Sequence, residues 1–310
     1  MRFGGTNLLL GSSKPVYSRD VSESELSARS LANQVFSLLG DHPVLAVPVV
    51  IADLVSFAAT HIQRALYLYQ PLLARVFGKS DSVLSATKSV TPETAVLLFL
   101  PLAWACYFLT ICLYTGALLS TSAFVRSLLQ GQPSQLRFAL ADPFRKRRRV
   151  LVFSISVFGA IVLAAILVGL SMPLILKTPG FAGMQGRDVG YFIGFLLECV
   201  FVYLFSRPAL KLLRLTQNPT SAAVDWIAVV LGLTVVAAQL VIVLLIEHVE
   251  PDTLQQTTAA GFLTREAIAS LIGAMVYVPL FIGLSLLAVR EDQVESAEAP
   301  GDAEPAQGSS

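Results

Sequence analysis

Two carboxylic acids lie inside segments that otherwise carry almost no charge. Asp53 lies near the middle of residues 43–60, and Glu198 lies near the centre of residues 189–206. A carboxylate at the centre of a bilayer costs on the order of 2.5 to 3.5 kcal/mol on insertion scales, so each acid should face the inside of a helix bundle and have a partner there. Gln239, which lies in another apolar stretch, is a candidate partner. These three residues form a candidate intramembrane polar site.

Such acids could exchange protons, bind a cation or line a polar cavity, which is the chemistry of a small transporter or permease. The alternative is structural: each carboxyl is neutral or hydrogen-bonded and joins helices through Gln239, a tyrosine or a backbone carbonyl. A pump or symporter normally has more intramembrane charge than two acids with no opposed base. The sequence therefore favours the structural interpretation and keeps the transporter as the alternative.

A run of five basic residues directly precedes the longest uncharged segment, residues 150–176. The run consists of Arg145, Lys146, Arg147, Arg148 and Arg149. Because cytoplasmic loops retain Lys and Arg, the basic run indicates which end of the following helix stays inside the cell. Each cation at a membrane surface can also contribute about 1 kcal/mol to binding anionic lipids. The five residues are therefore candidate lipid contacts, and membrane lipids are the predicted partners.

The sequence contains no signature of a soluble enzyme class. It has neither a His-Glu-x-x-His motif nor clustered Cys and His, and it has no Gly-x-Ser-x-Gly elbow and no phosphate-binding Gly-x-x-x-x-Gly-Lys-Ser/Thr loop. No basic face is interleaved with aromatic residues, which argues against a nucleic-acid partner. We therefore expect a protein that is not an enzyme and that has no cofactor and no metal, with an intramembrane enzyme as the third hypothesis.

The composition places the chain among integral membrane proteins. Of its 310 residues 55% are hydrophobic and only 14% are charged, whereas soluble domains have about 25% charged residues. As a helix, residues 150–176 would be about 40 Å long, which exceeds the ~30 Å hydrocarbon core of a bilayer. The expected fold is all-α, a polytopic bundle of six spans. We predict the spans at about residues 43–60, 94–121, 150–176, 189–206, 224–246 and 267–289.

An amphipathic helix is predicted before the first span. Ser22 and Glu25 form a capping-box pattern, and an apolar stripe follows before Gly40. The stripe consists of Leu31, Val35, Leu38 and Leu39. This helix would lie in the membrane interface or pack on the cytoplasmic face of the bundle. Farther along, Gly190 and Gly194 have the small-xxx-small spacing that permits close helix approach.

We divide the chain into a disordered N-terminus (1–21), one transmembrane domain (22–290) and a disordered acidic tail (291–310). No cleaved signal peptide is expected, because the first residues contain only three consecutive leucines. With both termini in the cytoplasm, 15 of the 22 basic residues lie inside and seven outside. We therefore predict a multi-pass protein of the cell (inner) membrane; residues 61–91, whose cations would lie outside, fit this topology least well.

Three features of placement resemble the six-span bacterial membrane proteins grouped around the membrane domain of glycerophosphoryl diester phosphodiesterases. They are the amphipathic lead-in with Pro43 and Pro48, the Gly131-Gln-Pro133 break, and the stretch 207–226 between spans four and five. The resemblance covers about residues 25–290. In that family the phosphodiesterase chemistry belongs to a separate soluble domain, which has no counterpart here. The resemblance therefore implies a membrane location and no activity.

These observations predict a non-enzymatic scaffold or lipid-associated protein of the cell envelope. The alternative is the small transporter or permease that uses Asp53 and Glu198. Transporters often contain inverted repeats, and the first three predicted spans do not match the last three. A membrane-protein partner or a second copy of the chain is compatible with the sequence.

Overall fold

The structure is a computed structural model and describes residues 28–68, 92–132, 136–175, 186–215, 220–248 and 259–298. Within these ranges the chain forms eight α-helices, one short 3-10 helix (Pro43–Ala46) and no strand. The α-helices are α1 (Ala28–Asp41), α2 (Val47–Leu68), α3 (Pro92–Leu129), α4 (Leu136–Arg145), α5 (Arg147–Ile175), α6 (Gly186–Leu213), α7 (Ala222–His248) and α8 (Ala259–Glu298). The all-α prediction is confirmed.

Six of these helices are long and apolar enough to cross a membrane. Their apolar segments are Pro43–His61, Pro101–Leu129, Arg147–Ser171, Ile193–Leu213, Ala222–Val241 and Ser270–Glu295. Each segment overlaps one predicted span, so the prediction of six spans is confirmed. A helix suits these sequences because it satisfies every backbone N–H and C=O inside the segment, where lipid offers no hydrogen-bond partner. The chain is a multi-pass membrane protein.

Helix α1 has the predicted apolar stripe, and the stripe packs on the bundle. Leu31, Val35 and Leu38 are buried, whereas Phe36 on another face is exposed. The Cγ2 atom of Val35 lies 3.6 Å from the position that a Cβ atom on Gly283 of α8 would take. Of the two interpretations of this helix, the structure therefore supports packing on the bundle. The predicted capping box and residues 1–21 lie outside the described residues.

Between the second and third predicted spans, the sequence predicts a loop at residues 122–149. This segment is largely helical, so this part of the prediction is wrong. Helix α3 continues to Leu129, and α4 and the start of α5 fill most of the remainder. Helix α3 ends where Gly131 adopts a φ of 64°. The N–H of Gly131 donates to Leu128 O and that of Gln132 donates to Ser127 O. This is the Schellman arrangement, in which glycine readily adopts the left-handed conformation.

Two other predicted boundaries also differ from the structure. Helix α6 continues past Pro208 to Leu213, although Pro208 cannot donate a backbone hydrogen bond. The buried side chains of Leu210 and Leu213 hold this last turn in the core. Helix α8 continues to Glu298, so residues 291–298 are not the disordered tail that we predicted. Residues 299–310 lie outside the described residues.

Helix α8 is the central helix of the bundle. It packs against α1, α2, α3, α6 and α7, and 61% of its spanning segment is buried, compared with 11% for α5. The bundle end that carries Arg126, Arg149, Arg214 and Arg290 is called the basic end below. Fully buried side chains near this end include Leu119, Leu210 and Leu287. The described core is therefore well packed toward the basic end.

The close helix approach lies at a different glycine from the one that we predicted. A Cβ atom on Gly194 would meet nothing within 4 Å, and the side chain of Gly190 lies outside the described residues. At Gly232 of α7, by contrast, a Cβ atom would collide with Cγ1 of Val202 of α6. The pairing of α6 with α7 therefore depends on the missing side chain at Gly232.

Candidate functional sites

The depth of the candidate site can be measured from the basic run. The rings of Phe153 in α5 and Phe205 in α6 lie 6.2 Å apart, so these residues share a level. Phe153 follows Arg149 by four residues. Glu198 precedes Phe205 by seven residues and so lies farther from the basic run along α6. At 1.5 Å per residue, Glu198 lies about 16 Å beyond Arg149. With Arg149 at the membrane surface, that level is the centre of a ~30 Å hydrocarbon core.

Asp53 joins three helices. The Tyr114 hydroxyl of α3 donates a hydrogen bond to Oδ1 of Asp53 at 3.0 Å. The Ser270 hydroxyl of α8 lies 2.9 Å from the same oxygen and 3.2 Å from Oδ2. Asp53 is only 5% exposed. Two hydroxyl donors on neighbouring helices compensate the loss of hydration, as expected for a buried carboxyl that links helices.

Tyr277 of α8 brings the three predicted site residues together. Its ring lies 5.2 Å from the ring of Tyr114. The Gln239 side chain of α7 hydrogen-bonds to the Tyr277 side chain, and the carboxyl groups of Asp53 and Glu198 both interact with it electrostatically. Residues from five helices thus form one polar cluster that extends from the buried Asp53 to the exposed Tyr107 and Glu198 at the surface of the bundle. Its members are Asp53, Tyr107, Tyr114, Glu198, Gln239, Ser270 and Tyr277.

Glu198 has a different environment from Asp53. Its side chain is exposed, and among the described residues it makes no hydrogen bond and no ion pair. It interacts electrostatically with Tyr107 of α3, which is 45% exposed, and with Tyr277. One acid of the cluster is therefore internally satisfied, whereas the other is open at the surface of the bundle.

Four members of the cluster were not named from the sequence: Tyr107, Tyr114, Ser270 and Tyr277. Tyrosines of spanning helices usually lie in the interfacial belts, so a tyrosine deep inside an apolar segment was an available signal. Tyr114 and Tyr277 both lie within the spanning segments of their helices. The pairing of Ser270 with Asp53 had no such signal, because the two residues are 217 positions apart.

The basic run lies at the corner between α4 and α5. Lys146 pairs with Asp142 at 2.8 Å. The other four members, Arg145, Arg147, Arg148 and Arg149, are exposed and form no ion pair with the described residues. Phe144, directly before them, is 80% exposed. Four free guanidinium groups and an aromatic ring thus share the edge of a spanning helix.

A second set of charges forms an ion-pair cluster at the basic end. Arg126 of α3 lies 2.9 Å from Asp292 of α8. Arg214, directly after α6, lies 2.8 Å from Glu295 and 3.6 Å from Asp292. The Leu215 N–H donates to Asp292 at 3.2 Å. Acids that we assigned to a tail therefore fasten α8 to α3 and α6.

Metal binding has no support among the described side chains, where no three His, Cys, Asp or Glu residues lie together. Cys106, Cys112 and Cys199 are free thiols at separate positions. Comparison of the chain with models of protein families, with curated proteins and with solved structures finds no match. The polar cluster and the basic run are therefore the two candidate functional sites of the described residues.

Proposed function

We propose that this is a non-enzymatic multi-pass protein of the cell (inner) membrane that binds anionic lipids at the four arginines of its basic run, with both termini in the cytoplasm. One observation carries the proposal: the four exposed arginines and Phe144 stand together at the start of a spanning helix. Four cations of about 1 kcal/mol each would give about 4 kcal/mol of attraction to an anionic leaflet.

Side-chain geometry supports phosphate as the group that is bound. A guanidinium group presents a planar set of N–H donors that matches phosphate oxygens in a bidentate contact. An aromatic ring such as that of Phe144 can occupy the boundary between headgroups and acyl chains. Lys146 is set apart from this surface by its contact with Asp142. Its replacement is therefore a suitable control.

The test compares the lipids that remain bound after gentle detergent purification. We expect the double variant Arg148→Gln, Arg149→Gln to retain less phosphatidylglycerol and cardiolipin than the wild-type protein, and Lys146→Gln to retain the wild-type amount. Reporter fusions on both sides of the run must first show that the topology is unchanged. Equal anionic lipid in the double variant and the wild-type protein would contradict the proposal.

The second candidate function is a small transporter or permease. The gathering of Asp53, Glu198 and Gln239 around Tyr277 at mid-membrane depth favours it. Uptake of radiolabelled solutes and protons into proteoliposomes would test it, with Glu198→Gln as the diagnostic variant. Uptake that this substitution leaves unchanged would remove Glu198 from any relay.

We also propose kinship with the membrane-domain group of glycerophosphoryl diester phosphodiesterases, on the placement of the break at Gly131 and of the stretch between α6 and α7. The lipid-directed function proposed above agrees with that kinship. A membrane-protein partner or a second copy of the chain is the other proposed kind of partner. Cross-linking in intact membranes would identify either one.

A further inference from the structure

Two contacts join the exposed faces of α6 and α7 near the basic end. Nε of Arg207 lies 2.7 Å from a carboxylate oxygen of Asp225. The next residue on α7 is Trp226, whose ring lies 6.4 Å from the ring of Tyr203. Tyr203 precedes Arg207 by one turn of α6. Both rings belong to exposed residues, so charged and aromatic side chains of two helices meet at the surface of the bundle. This place is called the α6–α7 seam below.

Arg207 and Lys211 are the cations of the α6–α7 seam. They are both exposed, and because they are four positions apart they lie on the same face of α6. On the depth scale set by Phe153 and Phe205, both lie within about 3 Å of the level of Arg149. A guanidinium group has several N–H donors on three nitrogens, and the acid partner of Arg207 faces Nε. Donors therefore remain for the oxygens of a phosphate group at the membrane surface.

Two acids border the same seam. Asp225 pairs with Arg207 and also accepts a hydrogen bond from the Thr220 hydroxyl. One turn of α7 away, the Ser221 hydroxyl donates to Glu291 of α8 at 2.9 Å. Cations and acids thus lie side by side at the membrane surface, which suits a headgroup that carries both a phosphate and an ammonium group. A headgroup without the ammonium group would give Glu291 no counter-charge.

Below these charges, the exposed faces of the two helices are apolar. On α6 the face continues from Tyr203 to Val200 and Leu196. On α7 it includes Val230. Leu196 precedes Arg207 by eleven residues, which is about 16 Å along the helix axis. That length is close to half of a ~30 Å hydrocarbon core, which is the depth that the acyl chains of one leaflet fill. The seam therefore has the length and the polarity of one phospholipid molecule.

We propose that the α6–α7 seam binds one zwitterionic phospholipid with a free ammonium group, of the phosphatidylethanolamine class. Arg207 and Lys211 bind the phosphate, and Glu291 attracts the ammonium group. The rings of Tyr203 and Trp226 lie at the boundary between headgroup and acyl chains, where amphipathic rings are favoured. The site is separate from the basic run and selects a different headgroup, so it goes beyond the anionic-lipid binding proposed there.

The test uses the fluorescence of Trp226. The chain has two tryptophans, so Trp104→Phe leaves Trp226 as the single indole, and a phospholipid brominated near the start of its acyl chains quenches an indole that it contacts. We expect brominated phosphatidylethanolamine, added to the full chain in detergent, to quench this parent protein saturably. The additional double substitution Arg207→Gln, Lys211→Gln should weaken the affinity about tenfold or more, because the charge-assisted contacts to the phosphate are lost. Arg137→Gln, which removes an exposed cation of α4, should leave it unchanged.

A second measurement tests the choice of headgroup in a chain that keeps both tryptophans. Native mass spectrometry counts the lipids that bind to the wild-type protein from equal amounts of phosphatidylethanolamine and phosphatidylglycerol. We expect a preference for phosphatidylethanolamine of up to about fivefold, the range of an exposed ion pair, and Glu291→Gln should abolish it.

Two results would overturn the proposal. One is equal quenching of Trp226 in the parent protein and in the Arg207→Gln, Lys211→Gln variant. The other is equal quenching by brominated phosphatidylethanolamine, phosphatidylglycerol and phosphatidylcholine, which is the behaviour of an ordinary lipid-facing surface. Retention of anionic lipid by the basic-run variant Arg148→Gln, Arg149→Gln bears on the proposed function alone, so the two failures can be distinguished.

Discussion

Asp292 offers the sharpest test of the packing at the basic end. Its carboxylate faces the Arg126 guanidinium group at 2.9 Å and that of Arg214 at 3.6 Å, and it accepts the Leu215 N–H. The side chain of Arg214 is only 2% exposed. Removing one partner of a buried ion pair destabilises proteins by about 3–5 kcal/mol, because an uncompensated charge stays buried. We expect Asp292→Ala to lower the free energy of unfolding by that amount.

Asp292→Asn separates charge from hydrogen bonding. The amide oxygen can still accept the Leu215 N–H, so the loss should be smaller than for alanine by about 1 kcal/mol, the contribution of one hydrogen bond. The control is Arg207→Gln, which breaks the pair with Asp225. The Asp225 side chain is only 9% exposed, but Arg207 itself is 63% exposed and the Thr220 hydroxyl still donates to Asp225, so water and this hydroxyl can compensate the remaining charge. This control should therefore cost less than either Asp292 variant.

The assay is reversible unfolding in mixed micelles, followed by the reactivity of the three free thiols of the spanning helices with a fluorescent maleimide. The expected order of stability is wild type, Arg207→Gln, Asp292→Asn and then Asp292→Ala. If Asp292→Ala stays within about 1 kcal/mol of the wild-type protein, the range of a surface substitution, the helical extension of α8 does not fasten the bundle. Residues 291–298 would then behave as the solvated tail that the sequence had indicated.

Substitutions at Gly232, Asp53 and Gly131 test the helix packing and the end of α3. Gly232→Leu should weaken the pairing of α6 with α7 by about 1–3 kcal/mol through overpacking against Val202. Its control is Gly169→Leu, which has open space around it and should leave the stability in the same thiol assay unchanged. Asp53→Ala should cost about 1–3 kcal/mol because the Tyr114 and Ser270 hydroxyls lose their acceptor, and Asp53→Asn, which keeps an acceptor oxygen, should lower the thermal midpoint less. Gly131→Ala should cost about 1 kcal/mol, since its φ of 64° is left-handed; no change in the midpoint would show that the end of α3 relaxes freely.

The all-α membrane-protein class, the number of spans and their approximate positions followed from composition and charge. A segment such as residues 150–176 is too apolar and too long for a soluble loop, and in lipid only a helix satisfies its backbone. The stripe of α1 and the break at Gly131 were also predictable, because periodicity and glycine chemistry act over a few residues. Asp53, Glu198 and Gln239 stood out because polar groups are costly in lipid.

Contacts between distant residues could not be predicted in this way. Arg214 and Glu295 are 81 positions apart, and an acid that follows a spanning helix can be either a solvated end or a partner of a buried cation. Only packing brings Arg126 and Arg214 to Asp292 and so turns a presumed tail into the last turns of α8. The same holds for Tyr277, since which polar groups meet inside the membrane depends on how each helix is rotated about its axis. That rotation depends on side-chain packing against neighbouring helices, which hydropathy does not encode.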